Sequence, residues 1–99
     1  IYTRKWRDFC FNYYEKYPIS NFENVKEFYY NFKVQNNEVR KYLKKINKDI
    51  AVFDNNTIND LEWSLKIELS SYYYSDQSRY IISTFKDSDV KIALLELEK

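Results

Sequence analysis

The sequence predicts an α+β domain: an N-terminal helical hairpin followed by a small antiparallel sheet, closed by a C-terminal helix. Three observations point there. Apolar residues in the first half recur at helical spacing. From Leu61 to Ser70 they alternate strictly with polar ones, and from Arg79 to Phe85 β-branched and aromatic residues are dense. One observation points elsewhere. The chain has no Gly, whereas tight hairpins prefer Gly turns, and this favours an all-α helical bundle with residues 57–74 as a helix. Four-residue loops do not require Gly, so the alternation carries more weight.

A first helix is predicted over residues 3–16. Trp6, Phe9, Cys10, Tyr13 and Tyr17 fall on one face, Thr3 can cap it, and Pro18 disfavours helix at Tyr17. Ser20-Asn21-Phe22-Glu23 reads as a capping box that opens a second helix. Val25, Phe28 and Phe32 mark its stripe. After the Gln35-Asn36-Asn37 interruption, Val39, Tyr42, Leu43, Ile46 and Ile50 resume it, as one bent helix or as two with Asn36 or Asn37 capping the second.

The period then changes. At two residues per repeat Leu61, Trp63, Leu65, Ile67 and Leu69 face one way, whereas on a helix Trp63 and Ile67 lie opposite the leucines. A strand is therefore predicted, running on through Tyr72, Tyr73 and Tyr74. Ser75-Asp76-Gln77-Ser78 is the turn and Arg79 to Phe85 the returning strand. Ile50 to Phe53 supplies a third strand, since a lone hairpin is marginal in water. Ser88 caps a last helix carrying Val90, Ala93, Leu94 and Leu97. Ile92 and Leu95 fall off that stripe and keep a fourth strand as the alternative.

Composition bounds the function. The 99 residues make a single domain over 1–99, and a start at Ile1 rather than Met is read as a piece of a longer chain. Without His there is no imidazole base or ligand, and without Gly no phosphate-cradling loop. The single Cys10 excludes an internal disulfide and a thiolate cluster, and its place on an apolar stripe predicts a buried, inert thiol. No cofactor or metal is therefore expected, nor any catalytic residue, and the chain is read as not an enzyme. No run approaches a membrane span and no signal peptide opens the chain, so an intracellular setting is the expectation. Phe, Tyr, Ile, Asn and Lys total 49 residues against seven for Gly, Ala, Arg and Pro. That bias is what an AT-rich genome produces, so aromatic placement is informative here and aromatic content is not.

Net charge divides unevenly. Residues 1–50 hold 11 basic and 6 acidic residues, and residues 51–99 hold 5 and 9. Arg40, Lys41, Lys44, Lys45 and Lys48 form one helical arc opposite Val39, Tyr42, Leu43 and Ile46. Such an arc can contact phosphates or remain a solvated face. Arg4, Lys5, Trp6 and Arg7 mix cations with a stacking ring, although Trp6 also lies on the first helix's stripe. Tyr72, Tyr73 and Tyr74, with Tyr80 opposite, are the densest aromatic group. In a sheet at least one of the triplet faces away from the core as a candidate partner anchor. The leading expectation is a non-catalytic interaction domain binding a protein partner through these tyrosines. The alternative is a nucleic-acid-binding module using the Arg40–Lys48 face.

Overall fold

The computed structural model describes residues 4–35, 37–46 and 55–97. These form five helices: α1 (Arg4–Lys16), α2 (Val25–Asn31), α3 (Glu38–Ile46), α4 (Asn55–Tyr73) and α5 (Ser78–Leu97). There is no strand among the described residues. The expected sheet is replaced by the alternative, an all-helical bundle.

The first half follows its periodicity. On α1, Trp6, Cys10 and Tyr13 are buried, and the last helical hydrogen bond runs from the Tyr17 N–H to the Tyr13 carbonyl just before Pro18. The expected cap at Thr3 lies outside the described residues. The capping box that opens α2 is displaced by four residues from its expected place. Asn24 is the cap: its Oδ1 accepts from the Glu27 N–H at 2.9 Å, and Glu27 reaches back to the Glu23 N–H. Phe22, just ahead of the cap, packs on Phe28 on the helix, a staple-like contact that sets the entry angle. The Ser20 hydroxyl instead accepts from the Phe22 N–H within a local turn.

The stripe from Val25 to Ile46 resolves into two helices. Phe32 ends α2 in extended backbone, and Asn37 takes a left-handed conformation (φ 56°) that Asn tolerates. The Asn37 carbonyl accepts the first α3 hydrogen bond, from the Lys41 N–H. Val39 and Leu43 are the buried residues of α3.

The second half overturns the strand prediction. Leu61 to Ser70 lies inside α4, and Arg79 to Phe85 inside α5. The reason is the position of α4, which packs against α1, α2, α3 and α5. A helix surrounded by others needs apolar residues on several sides, so its stripe disappears. Leu65 and Leu69 are fully buried. Trp63 on the other side meets the Tyr29 ring of α2, with the Lys86 ammonium of α5 5.4 Å from its ring centroid. From Leu61 to Tyr74 no residue is exposed, including Glu62, Ser64, Lys66 and Glu68. The Ser70 and Ser71 hydroxyls are satisfied inside the helix by the Ile67 and Glu68 carbonyls, both at 2.6 Å.

Ser75 to Ser78 joins two helices rather than two strands, with the Ser78 N–H on the Ser75 carbonyl. Such a turn needs no positive φ, which removes the conflict with the missing Gly. Ser88 does not cap a separate segment, because α5 runs through it without a break. The stretch proposed as a fourth strand is likewise helical, and the third-strand residues 50–53 lie outside the described set. The core joins Trp6, Cys10 and Tyr13 of α1, Phe28 and Tyr29 of α2, Val39 and Leu43 of α3, Ile58, Leu65 and Leu69 of α4 and Ile82 of α5. The molecule measures 46 × 31 × 22 Å, and the far end of α5 contributes nothing to this core.

Candidate interaction surfaces

The four tyrosines do not form one surface. Tyr72, Tyr73 and Tyr74 are half-buried at the end of α4 and pack against the core. Their hydroxyls anchor the α1–α2 connection: Tyr73 donates to the Tyr17 carbonyl and Tyr74 to the Phe22 carbonyl at 2.7 Å. Tyr72 instead lies against Tyr14 of α1, with ring centroids 5.3 Å apart. Tyr80 stands apart on α5, 78% exposed. Their separation follows from the fold. On a helix the triplet spans about 200° of arc, and the neighbouring helices cover most of it.

The basic arc of α3 divides as well. The Arg40 guanidinium turns to the Asn55 side chain at the start of α4, at 3.3 Å. Lys41 lies 3.9 Å from Glu38, which is held more closely by Lys16 of α1 at 2.8 Å. Lys44 and Lys45 are exposed in the last turn of α3, where the helix dipole favours cations. Lys48 lies outside the described residues. Asn55, which opens a glycosylation sequon with Asn56 and Thr57, is the residue that Arg40 engages.

Tertiary structure adds a groove that spacing along the chain does not reveal. The Tyr42 ring of α3 lies 5.5 Å from Trp6 and 4.6 Å from Phe9 of α1. These contacts draw the two helices together around a cleft of about 520 Å³. Phe9, Tyr42 and Ile46 supply its apolar surface. Lys5, Lys41 and Lys45 supply cations, and Asp8 and Glu38 supply acids. The mixed basic-aromatic start of the chain therefore divides, with Trp6 in the core and Lys5 on the cleft. A second cleft of about 470 Å³ lies between the ends of α1 and α2, over Tyr13, Tyr17, Phe28, Phe32 and Tyr73. Within it the Tyr13 hydroxyl accepts from the Gln35 N–H at 3.0 Å, and burial pushes Tyr13 up to about 12.

Among the described residues the most exposed apolar run is the end of α5. Asp89 ties it to α2, accepting from the Tyr29 hydroxyl at 2.8 Å and from Tyr30 at 3.4 Å. Beyond it every described residue is exposed, and the apolar ones range from 47% at Val90 to 82% at Leu97. The sequence held a signal for this. Ile92 and Leu95 lie off the Val90, Ala93, Leu94 and Leu97 stripe, so this stretch cannot bury all its apolar residues on one side.

Groups with chemical potential are few. Cys10 is fully buried, and desolvation lifts its thiol to about 12, a value at which it is a poor nucleophile. Lys66 is lowered by burial, and its ammonium donates to the Tyr29 carbonyl beside that ring. Among the described residues no group of three or more His, Cys, Asp or Glu is placed to hold a metal ion, and no helix is long and apolar enough to cross a membrane. No family model, curated protein or solved structure matches the chain, so the geometry of these surfaces alone supports a functional reading.

Proposed function

We propose that the chain is a non-catalytic interaction domain that binds a protein partner. The observation that supports this reading is the end of α5, where Val90, Ile92, Leu94, Leu95 and Leu97 are all exposed within eight residues. Apolar side chains exposed around a helix end are stabilised when another apolar surface removes them from water, at about 25 cal/mol per Å².

A nucleic-acid module acting through α3 is the second reading, favoured by the exposed Lys44 and Lys45, which form no ion pair among the described residues. Arg40 turns to Asn55 and Lys41 to Glu38, which weighs against it, since phosphate binding draws on several cations at once.

Titration with single- and double-stranded DNA and RNA at several salt concentrations separates the two readings. The comparison is between the parent and a Lys41→Glu, Lys44→Glu, Lys45→Glu variant. The protein-partner reading expects no salt-dependent binding by either. Micromolar binding by the parent near physiological salt, weakening by about 0.7–0.9 log units per log unit of salt for each phosphate contact and lost in the variant, would overturn it.

A further inference from the structure

We infer that the partner of the α5 end is a second copy of this chain, and that the end of α5 seats in the α1/α3 cleft of its neighbour, joining copies head to tail. This rests on the protein-partner reading and names the partner. The end of α5 is exposed and therefore does not fill the cleft of its own chain.

The two surfaces match in shape class. At about 100° per residue, Val90, Ala93, Leu94 and Leu97 occupy one stripe about 100° wide, the width a helix presents to a groove. The cleft offers the Phe9 and Tyr42 rings, with centroids 4.6 Å apart, and beside them Ile46, 44% exposed.

The charges match too. Asp87 lies at one edge of the α5 stripe and Glu96 beyond the other, and residues 87–97 carry Asp87, Asp89 and Glu96 against the single Lys91. On the cleft, the Glu38 carboxylate is already neutralised by Lys16 at 2.8 Å and approached by Lys41. Lys5 and Lys45 form no ion pair among the described residues and outnumber Asp8, the cleft's other acid, so the balance that meets an incoming helix is positive. Seating an acid-edged apolar helix there removes both apolar surfaces from water and places Asp87 and Glu96 toward those lysines.

Because the joined patches differ, each pairing leaves one cleft and one helix end unoccupied, and the chain adds further copies or closes into a ring. The contact is small, on the order of 1,000 Å² in total, which is the low end for specific interfaces and implies association that grows with concentration.

The test is sedimentation equilibrium of the 99-residue chain across a concentration series, starting from the 12.3 kDa monomer. Two variants are compared: Leu94→Asp with Leu97→Asp on the helix end, and Lys45→Glu with Ile46→Asp on the cleft. All four positions are exposed, and circular dichroism confirms that helicity is retained. The parent is expected to rise in mass with concentration and each variant alone to stay monomeric. An equimolar mixture of the two is expected to form a 1:1 dimer that grows no further, because one intact cleft meets one intact helix end. If the cleft variant loses helicity, the charge-only variant Lys5→Glu with Lys45→Glu replaces it, and association at least several-fold weaker than the parent's is expected. A parent that stays at 12.3 kDa throughout, or a folded cleft variant that associates as the parent does, overturns the inference. Neither result overturns the protein-partner reading, which fails only on nucleic-acid binding.

Discussion

Helices α4 and α5 are nearly equal in length, at 19 and 20 residues, and neither carries a one-sided apolar stripe. Their environments are opposite. No residue from Leu61 to Tyr74 is exposed, whereas every described residue beyond Asp89 is. In α4 the stripe is missing because neighbours cover several sides, so apolar residues are useful all round. In α5 the first half seats Ser78, Ile82 and Phe85 against the bundle, and the second half carries apolar residues that stay exposed. One pattern in sequence thus has two meanings, and the packing of neighbours separates them.

The largest expected effect comes from matched leucine truncations in the two helices. Leu69→Ala, at a fully buried site in α4, is expected to destabilise the domain by about 2–5 kcal/mol. Leu94→Ala, at a 56% exposed site in α5, is expected to change stability by less than about 0.5 kcal/mol. Trp6→Ala, which empties the core from the α1 side, belongs with the first at about 3–5 kcal/mol. Urea denaturation of dilute protein measures all three, and equal costs for the two leucines would break the comparison.

Alkaline pH sharpens it next. Burial pushes Cys10, Tyr13 and Tyr29 up to about 12, from ordinary values of 9.0 for Cys and 10.0 for Tyr. Each group is neutral when protonated, and the folded state holds that form. Its stabilising contribution is therefore complete below the unfolded value and is lost as pH rises through the folded one. Melting temperature is expected to fall between pH 9 and about 12, with a late step in tyrosinate absorbance that coincides with loss of helicity. Complete tyrosine ionisation with helicity intact would show that the bundle does not shield these groups.

A smaller effect isolates the polar ties of α4. Tyr73→Phe keeps the ring against Phe28 and Tyr14 and removes only the hydroxyl that bonds the Tyr17 carbonyl. The expected loss is about 1 kcal/mol, with faster amide exchange in the α1–α2 connection. An unchanged midpoint and unchanged exchange would mean that water replaces the hydroxyl at no net cost.

The first half of the fold was legible because its helices lie at the rim of the bundle. Trp6, Cys10 and Tyr13 on α1, and Val39 and Leu43 on α3, bury one face and leave the other to water, which writes a 3.6-residue period into the chain. The start of α2 was harder. Ser20 to Glu23 and Asn24 to Glu27 both satisfy the capping-box pattern, and the contact of Phe22 with Phe28 accompanies the second. The second half was misread because alternation at α4 reflects contact on several sides rather than a pleat. The missing Gly was the better guide, since Ser75 to Ser78 turns between helices without needing one.

Of the candidate surfaces, the sequence carried the α3 cations and the off-stripe Ile92 and Leu95. It could not carry the Tyr72–Tyr74 anchoring or the cleft, because each joins residues that only the packing of α1 brings into contact.

By itself the sequence determined the helical stripes of the first half, the stop at Pro18 and the lack of imidazole chemistry. Those follow from residue type and from spacing along one element. Tertiary structure decided that Leu61 to Ser70 is helical, that Phe9 and Tyr42 flank a common cleft and that α5 projects beyond its support. Each depends on which helices meet, and the burial gained when they meet exceeds the local preference of any single segment.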